Sequence, residues 1–578
     1  YGSYIAGAVN LYTPRSMPNQ SGINEEVIGG SYGLFRNNTS ISTSNGNSDL
    51  RLNYGHQTYT GFRPHNNSKK DYFNFATNFN LNEKNTISTY FSYNNSIEEL
   101  AGEIDSADFY SRKVVSNNFY VLNNSHAAIE SFRAGITDKY QFTDVLSNQT
   151  TMYTTGSTLN QAFAHGFTKN QNMNFGGRTS FMFEKNYGHT SIEGVIGGSF
   201  ERTNQDTHGN FIPPFIMPPF TPSTSPNIPS ASRNYALNYS LYSQWKISLP
   251  SQISITAGAS VDFIEFGTQN LLHNGSIYLD NPINIKVFKP VLNPSVSLIK
   301  VFNSFVSMYA NVSSGYTPAT FSQMTNTNGQ INTDLKPEKG IQYEIGTKGS
   351  IGKDKKLFYQ VSLFDLDITN RLTQQSANGI SFYTNAGEQQ NKGAEVYIGY
   401  SAISNNNSLF RTVRPWISYT YSHFTYSDFK SHGKSSAGED SIIADYSGNK
   451  VAGIPENIFN AGLDLMTKTG IYFNTTFRFN DKIPVTFTNT HFMKPYSLLS
   501  AKIGYRHQFG YHFSVDIYGG ADNITNTTYY SMIFVGQNIQ ELAQAGDPNI
   551  PGGSGDGYIL PAPYKASFYG GASLKFNF

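Results

Sequence analysis

The sequence contains no cysteine, few charged residues and no long hydrophobic run. Without cysteine there can be no disulfide bond, no thiolate metal site and no cysteine nucleophile. Charged residues make up 14% of the 578 residues and the formal net charge is +1, so no nucleic-acid partner is expected, because that would require a basic surface. No run approaches the roughly 18 apolar residues of a membrane-spanning helix. The densest apolar stretch, 211–220, contains four prolines, which exclude a helix.

Aromatic residues and glycine are abundant where charge is scarce. The chain has 39 Tyr, 43 Phe and 51 Gly, and aromatic residues account for 15% of it. Aromatic side chains favour strands, and a polar but weakly charged chain is typical of β-structure whose two faces meet different surroundings. The composition therefore favours an all-β protein over a row of soluble mixed domains.

Alternation of apolar and polar residues dominates the chain, in segments of about ten residues. Residues 253–263 show it clearly, because every second side chain is apolar and the side chains between them are small or polar. The apolar face consists of Ile253, Ile255, Ala257, Ala259, Val261 and Phe263. A period of two residues predicts a strand that separates two environments.

Short polar turns and long connections alternate between these segments. Turns such as 45–49 and 352–356 each separate two alternating segments, which is the pattern of a hairpin. The segments number 22, and bacterial barrels have an even number of strands. We therefore predict an all-β fold, a 22-stranded antiparallel transmembrane β-barrel with short periplasmic turns and long extracellular loops. The long connections are predicted at 97–128, 203–232, 267–288, 317–337, 369–390, 424–452 and 523–563.

The C-terminal segment carries a further pattern. Phe568, Leu574, Phe576 and Phe578 belong to one apolar face of a final strand that ends on an aromatic residue. Such a strand resembles the signal that outer-membrane barrels offer to their assembly machinery. The alternative interpretation is an ordinary edge strand of a soluble sheet.

Several motifs resemble those of TonB-dependent outer-membrane receptors of the siderophore or iron-chelate type, in matching order and spacing. YGSYIAGAVNLYTPR (1–15) resembles the last strand of the plug domain, and LKPEKGIQYEIGTKG (335–349) resembles a barrel motif of that family. NAGEQQNKGAEVYIGY (385–400) and YGGADNITNTTYY (518–530) resemble two later strands. The resemblance implies that residues 1–22 are the C-terminal end of a plug domain and that residues 23–578 are the receptor β-barrel.

The resemblance also implies a function and a location. It implies a receptor in the bacterial outer membrane that imports an iron-siderophore or similar metal chelate with TonB-coupled energy. Its expected partners are the ferric chelate, the lipid bilayer, the barrel assembly machinery and the TonB-ExbB-ExbD complex, the last through a plug and a TonB box that this sequence does not contain. The alternatives are a passive porin or other outer-membrane barrel, or a receptor of the same family for haem, cobalamin or another nutrient.

Aromatic and arginine side chains in the predicted loops are the candidate ligand contacts, because rings exclude water and guanidinium groups pair with anionic oxygens. ELAGEIDSADFYSRK (99–113) also resembles a loop of ferric-siderophore receptors. For tyrosines at strand ends, the alternative is the aromatic girdle at the membrane interface. The candidates are Phe109, Tyr110, Arg112, Phe211, Phe215, Phe220, Arg233, Tyr316 and Tyr383.

Catalysis, resident metals and cofactors find no support in the sequence. The G-x-S-x-G pattern at 29–33 is followed by more alternating sequence, whereas the hydrolase motif needs a helix there. The 12 histidines are scattered and form no H-x-x-x-H pair. We expect no enzymatic activity, no metal site and no cofactor.

Overall fold

The structure is a computed structural model. It describes Ile5 and residues 21–163, 166–211, 228–273, 276–277, 281–303, 305–324, 332, 334–352, 354–377, 380–385, 387–402, 408–434, 440–536 and 558–578.

One antiparallel sheet of 23 strands dominates the fold, and 22 of them form the wall of a closed barrel. The wall closes because the first strand pairs with the last, from Gly22 opposite Asn577 to Gly30 opposite Tyr569. The predicted fold class and strand count are therefore confirmed. The wall strands are Gly22–Gly30, Leu34–Ser44, Ser48–Tyr59, Ser68–Asn82, Asn85–Glu99, His126–Gln141, Leu146–Phe163, Gly166–Tyr187, Thr190–Phe211, Ile228–Leu249, Ile253–Asn270, Val291–Val301, Ser307–Thr317, Glu338–Ile351, Leu357–Thr369, Glu388–Tyr400, Phe410–Asp428, Asn457–Thr467, Ile471–Asn480, Tyr496–Phe509, Phe513–Asp522 and Ser567–Asn577.

The apolar face of the alternating segments lies on the outside of the wall. In the strand Ile253–Asn270, Ile255 and Phe263 are exposed on the outer face, whereas Ser260 and Asp262 are buried on the inner face. The final strand follows the same rule, because Phe568, Leu574, Phe576 and Phe578 are all exposed. An apolar outer face and a polar lumen are typical of a barrel that spans a bilayer.

Tyrosine side chains cover glycines on the lumen side of the wall. Tyr309 lies over Gly346 of the next strand and its hydroxyl donates to Glu344 at 2.6 Å. Tyr472 covers Gly504 and donates to Asp516 at 2.9 Å. Each ring shields a stretch of backbone that glycine leaves bare, and its hydroxyl is paired inside the lumen.

The two ends of the barrel differ as the sequence predicts, but several strands run further than expected at the loop end. The strands Gly166–Tyr187, Thr190–Phe211 and Ile228–Leu249 extend into the predicted connection 203–232 and into 158–171. Their backbone ladder continues where apolar alternation has ceased. Above a bilayer, water faces both sides of a strand, so the pairing no longer requires an apolar face.

Short helices and small hairpins lie in the connections between the wall strands. Helices span Ser106–Tyr110, Asn118–Leu122 and Phe321–Met324, and a 3-10 turn spans Ser31–Gly33. None of the helices in the described part of the chain is long and apolar enough to cross a membrane. Asn284–Val287 adds a strand to the end of Ile253–Asn270. Small hairpins pair Leu272–His273 with Ser276–Ile277, Leu372–Ala377 with Ile380–Asn385, Lys430–Lys434 with Asp440–Asp445, Ile483–Pro484 with Phe492–Met493, and Tyr530–Ile533 with Ile559–Pro561.

Candidate ligand-binding site

Apolar side chains from the loops form three clusters at the loop end of the barrel. Each joins loops that are distant in sequence, and each is built largely from aromatic and aliphatic residues. The first loop cluster contains Ile104, Phe109, Ile483, Val485, Met493, Tyr530, Tyr558, Ile559 and Tyr564. The second contains Ala236, Ile264, Phe266, Phe288, Val291, Tyr316, Ala319, Met324 and Leu335, and the third contains Tyr426, Phe429, Tyr446 and Val451.

The first loop cluster fastens loop 100–125 to the last loop of the chain. Phe109 is only 1% exposed, because the helix Ser106–Tyr110 turns it inward; the Asp105 side chain caps that helix by accepting from the Asp108 amide at 2.6 Å. Arg112 donates through Nη2 to the carbonyl oxygens of Asn526, at 2.8 Å, and Tyr564. Phe109 and Arg112 thus hold two loops together.

Tyr110 has a more accessible position beside the same cluster. Its side chain is 38% exposed, and the Lys494 ammonium lies 4.5 Å from the centre of its ring. Its hydroxyl accepts from the Lys494 amide at 3.3 Å. Of the three candidates in this loop, Tyr110 is therefore the one whose ring meets solvent.

The other candidates are distributed over separate places. Tyr316 is buried in the second loop cluster and Tyr383 packs against it. Arg233 is on the outer face of its strand, in line with the exposed Tyr239, and pairs with Asp206 at 3.1 Å. Phe211 ends the strand Thr190–Phe211, and Phe215 and Phe220 lie outside the described residues. The described candidates do not converge on one surface, and their role as ligand contacts stays a prediction.

A pocket of about 820 Å³ opens at the loop end between the wall and the loops, and we call it the mouth pocket. Loops 60–67, 100–125 and 523–566 contribute to it together with the upper ends of four wall strands. Its walls include the aromatic residues Tyr59, Phe62, Phe163, Tyr529 and Phe534. The wall strands place Tyr59 and Phe163 there because both have lumen-side positions in the alternation, opposite in phase to exposed Tyr54 and Met152.

Two charged residues are buried at the base of the mouth pocket. Arg63 is 7% exposed and donates through Nη1 to the carbonyl oxygens of Gly102, at 3.0 Å, and Val115, at 3.4 Å. Burial lowers the Arg63 pKa to about 10. Glu103 is 5% exposed; burial raises its pKa, and the Tyr120 hydroxyl, which donates to it, opposes that shift. Burial, followed by the nearby Glu103 carboxylate, raises the pKa of Tyr120.

Two further carboxylates lie higher on the pocket wall. Glu98 is exposed on the lumen face of Asn85–Glu99, in the opposite phase to the outward-facing Ile97. Glu99 accepts from the Asn67 side chain at 2.6 Å. Among the described residues, no group of three or more metal-ligating side chains is assembled. The pocket is therefore a polar and aromatic recess without the ligand set of a protein-bound metal.

Arg63, Glu98 and Phe62 are not among the residues predicted from the sequence to contact a ligand. The phase of the alternating segment 86–96, continued by two residues, would have placed Glu98 on the lumen face. Arg63 and Phe62 lie in the connection 60–67, and no sequence signal indicates that loop 100–125 folds over it.

Comparisons with known proteins agree with this architecture. The ferric citrate transporter FecA in its unliganded form superposes with a TM-score of 0.77 over 97% of this chain and 79% of that one, at 16% identity. The siderophore receptor PiuA from Acinetobacter baumannii superposes with a TM-score of 0.75 over 96% of this chain and 82% of that one, at 13% identity. At these identities the likeness concerns the fold alone.

Sequence comparison identifies the family of the chain. The chain is 26% identical over 254 residues to the ferrioxamine B receptor of Salmonella typhimurium (strain SL1344), an alignment that covers 43% of this chain and 31% of that receptor. The chain thus matches less than a third of the length of that relative. The model of the family described as TonB dependent receptor-like, beta-barrel matches residues 12–524. Because this match takes in most of the wall, the chain belongs to the TonB-dependent receptor β-barrel family, a family of receptors and not of enzymes.

Proposed function

We propose that the protein containing this chain imports a ferric chelate across the bacterial outer membrane, and that the mouth pocket is where the chelate first binds. The observation that carries the proposal is a pocket of about 820 Å³ at the loop end of a closed barrel, lined by rings and polar groups. Small-molecule sites typically have about 300–1,000 Å³ and a similar lining. The relative that is a ferrioxamine B receptor and the family membership support the same class of ligand.

The proposal includes the partners that the family resemblance implies. Residues 1–22 would be the end of a plug within the lumen, and the plug would couple the barrel to the TonB-ExbB-ExbD complex. Ile5 supports this placement, because its side chain contacts the lumen-facing Gly340 on the inner wall. The apolar outer face would contact the bilayer, and the strand that carries Phe568, Leu574, Phe576 and Phe578 would be the contact for the barrel assembly machinery.

Uptake measurements test the proposal. A strain that lacks the native gene is complemented with the full-length gene, and uptake of radiolabelled ferric chelates is measured with and without a functional TonB protein. We expect saturable uptake of at least one chelate that is lost without TonB. Uptake that rises linearly with concentration and does not depend on TonB would instead identify a passive porin. Saturable, TonB-dependent uptake of haem or cobalamin alone would support the transport mechanism of the family. It would contradict the proposal that the ligand is a ferric siderophore or similar chelate.

Binding measurements test the predicted loop contacts. Tyr110→Ala removes an exposed ring, and we expect lower affinity with an intact barrel if that ring touches the chelate. Deletion of residues 211–222 tests Phe211, Phe215 and Phe220 together. Normal affinity and uptake in the deletion variant would remove that loop from the site. Tyr239→Ala is the matched control, because it removes an exposed ring from the outer face of the wall.

A further inference from the structure

The charge of the mouth pocket differs from that of a site built for anions. Four of its lining residues are of the acidic or basic types that can carry a full charge near neutral pH, namely Arg63, Glu98, Glu99 and Glu103. Three of them are acids, so the lining carries a net negative charge even when Glu103 is protonated. A negative lining repels a ligand of the same sign and attracts one of the opposite sign.

Arg63 is poorly placed to offset this charge for a bound ligand. Its side chain is 7% exposed, and Nη1 is engaged by the carbonyl oxygens of Gly102 and Val115. The guanidinium therefore ties loop 60–67 to loop 100–125 from below the pocket. Glu103 is buried near enough to interact electrostatically with Arg63, which reduces the positive charge that Arg63 presents to the pocket.

Glu98 is the carboxylate that a ligand can reach. It is exposed on the lumen face of the wall and lines the pocket. In the described part of the chain, no hydrogen bond or ion pair engages its carboxylate. Glu99 beside it already accepts from Asn67 and lies 3.8 Å from His65.

The rings around the pocket favour the same sign of ligand charge. Tyr59, Phe62, Phe163 and Tyr529 line it, and aromatic faces attract cations through their quadrupoles. Rings next to a free carboxylate form the combination that recognises alkylammonium groups, whereas a carboxylate-rich ligand would meet repulsion from Glu98.

We propose that the mouth pocket selects ferric chelates that carry a positive charge, such as a pendant ammonium group, over anionic chelates of the same size, with Glu98 as the residue that determines this preference. The inference rests on the proposed function and names the charge class of its ligand. It also assigns to loop 60–67 and the strand Asn85–Glu99 a role in specificity.

Three ferric chelates on one tris-hydroxamate scaffold, ending in an ammonium, an acetamide or a carboxylate group, test the inference. Their affinities are measured by competition on outer-membrane vesicles that contain the full-length receptor, at low ionic strength. We expect the ammonium probe to bind about tenfold more tightly than the carboxylate probe, the order of one charge interaction near a protein surface. Glu98→Gln should reduce this ratio to about threefold or less, because it keeps the shape and removes the charge.

Glu184→Gln is the matched control, since Glu184 is also exposed on a wall strand but lies at the turn end. It should leave the ratio unchanged. Equal affinities, a preference for the carboxylate probe, or an unchanged ratio in Glu98→Gln would overturn the inference while leaving chelate import intact. Failure of all three probes to bind would also overturn the inference, whereas the proposed function would fail only if no ferric chelate showed saturable, TonB-dependent uptake.

Ionic strength gives a second measurement on the unmodified receptor, which holds even if Glu98→Gln assembles poorly. Salt shortens the Debye length from about 30 Å at 0.01 M to about 3 Å at 1 M. The ratio between the ammonium and carboxylate probes should therefore fall towards one as salt rises. A ratio independent of salt would show that charge does not set the preference.

Discussion

Apart from the seam where the first strand pairs with the last, the barrel wall and the loop end are held together by contacts of very different range in the chain. In the wall, the Tyr309 hydroxyl bonds Glu344, which is 35 positions away. At the loop end, Arg112 bonds the carbonyl oxygens of Asn526 and Tyr564, which are 414 and 452 positions away. A repeating local pattern can specify the first kind of contact but not the second, because the second exists only after the wall has closed and brought the loops together.

The two regions also use aromatic residues differently. On the wall, rings such as Phe181 and Phe263 are exposed on the outer face, where lipid replaces a protein core. At the loop end, Phe109 is enclosed by its cluster as in a soluble protein. Phe109 and Phe263 each follow an aspartate in the sequence, and only the surroundings distinguish the buried ring from the exposed one.

The largest expected effect comes from breaking the first loop cluster. Phe109→Ala should destabilise the packing of loop 100–125 by about 3–5 kcal/mol, because it leaves a cavity among residues from three loops. Hydrogen exchange of peptides from 100–125 and 558–566 would report the opening. Phe181→Ala on the outer wall is the control and should leave both peptides protected. Unchanged protection in Phe109→Ala would show that the cluster does not fasten the loops.

Arg112→Lys should weaken the same junction less. A lysine keeps the charge but its side chain is one atom shorter, so its ammonium cannot take the position from which Arg112 Nη2 reaches the carbonyl oxygens of Asn526 and Tyr564. We expect a loss of about 1.5–3 kcal/mol, the usual range for hydrogen bonds from a charged group. Faster cleavage of loop 100–125 by protease in intact cells would measure it. If cleavage matched that of the unmodified protein, the backbone bridge between Ile104 and Ile559 would suffice to hold the loop.

Gly504→Ala probes the wall in the same way. An added methyl group would collide with the Tyr472 ring and displace its hydroxyl from Asp516. Overpacking of this kind costs about 1–3 kcal/mol, and the midpoint of heat-modifiable gel mobility should fall. Gly519→Ala is the control, because its nearest contact would be the Tyr569 carbonyl oxygen at 3.7 Å. Equal midpoints for the two variants would mean that the Tyr472 ring can move aside without lowering the stability of the barrel.

The smallest effect concerns the pH dependence of the loop end. Because burial raises the Glu103 pKa above its ordinary value of 4.5, the closed loop binds more protons than the opened loop between 4.5 and the raised value. Stability of the closed loop therefore falls as pH rises through that window. Hydrogen exchange of 100–125, corrected for intrinsic rates, should show this slope. Glu103→Gln should flatten it, whereas an identical slope in that variant would assign it to another group.

Individual strands and loop residues show which features of the fold can be predicted from the sequence. The segment 253–263 and the final strand alternate strictly, and both have the predicted faces in the structure. The limits of strands at the loop end are less predictable, as in Gly166–Tyr187, because pairing continues there without an apolar face. Candidate loop residues were selected by type, and the structure gives Phe109 and Tyr316 buried positions that their type alone does not imply.

The sequence by itself determined the wall of this protein: the strand count, the two faces of the strictly alternating segments and the closed-barrel fold. The physical reason is that lipid outside and polar groups inside impose a two-residue period on a strand within the bilayer, so residues there already carry their orientation. The mouth pocket was decided only by tertiary structure. Its Arg63, Glu98 and Tyr529 come from separate connections and strands, and they share one recess because barrel closure gathers the loop ends into one ring.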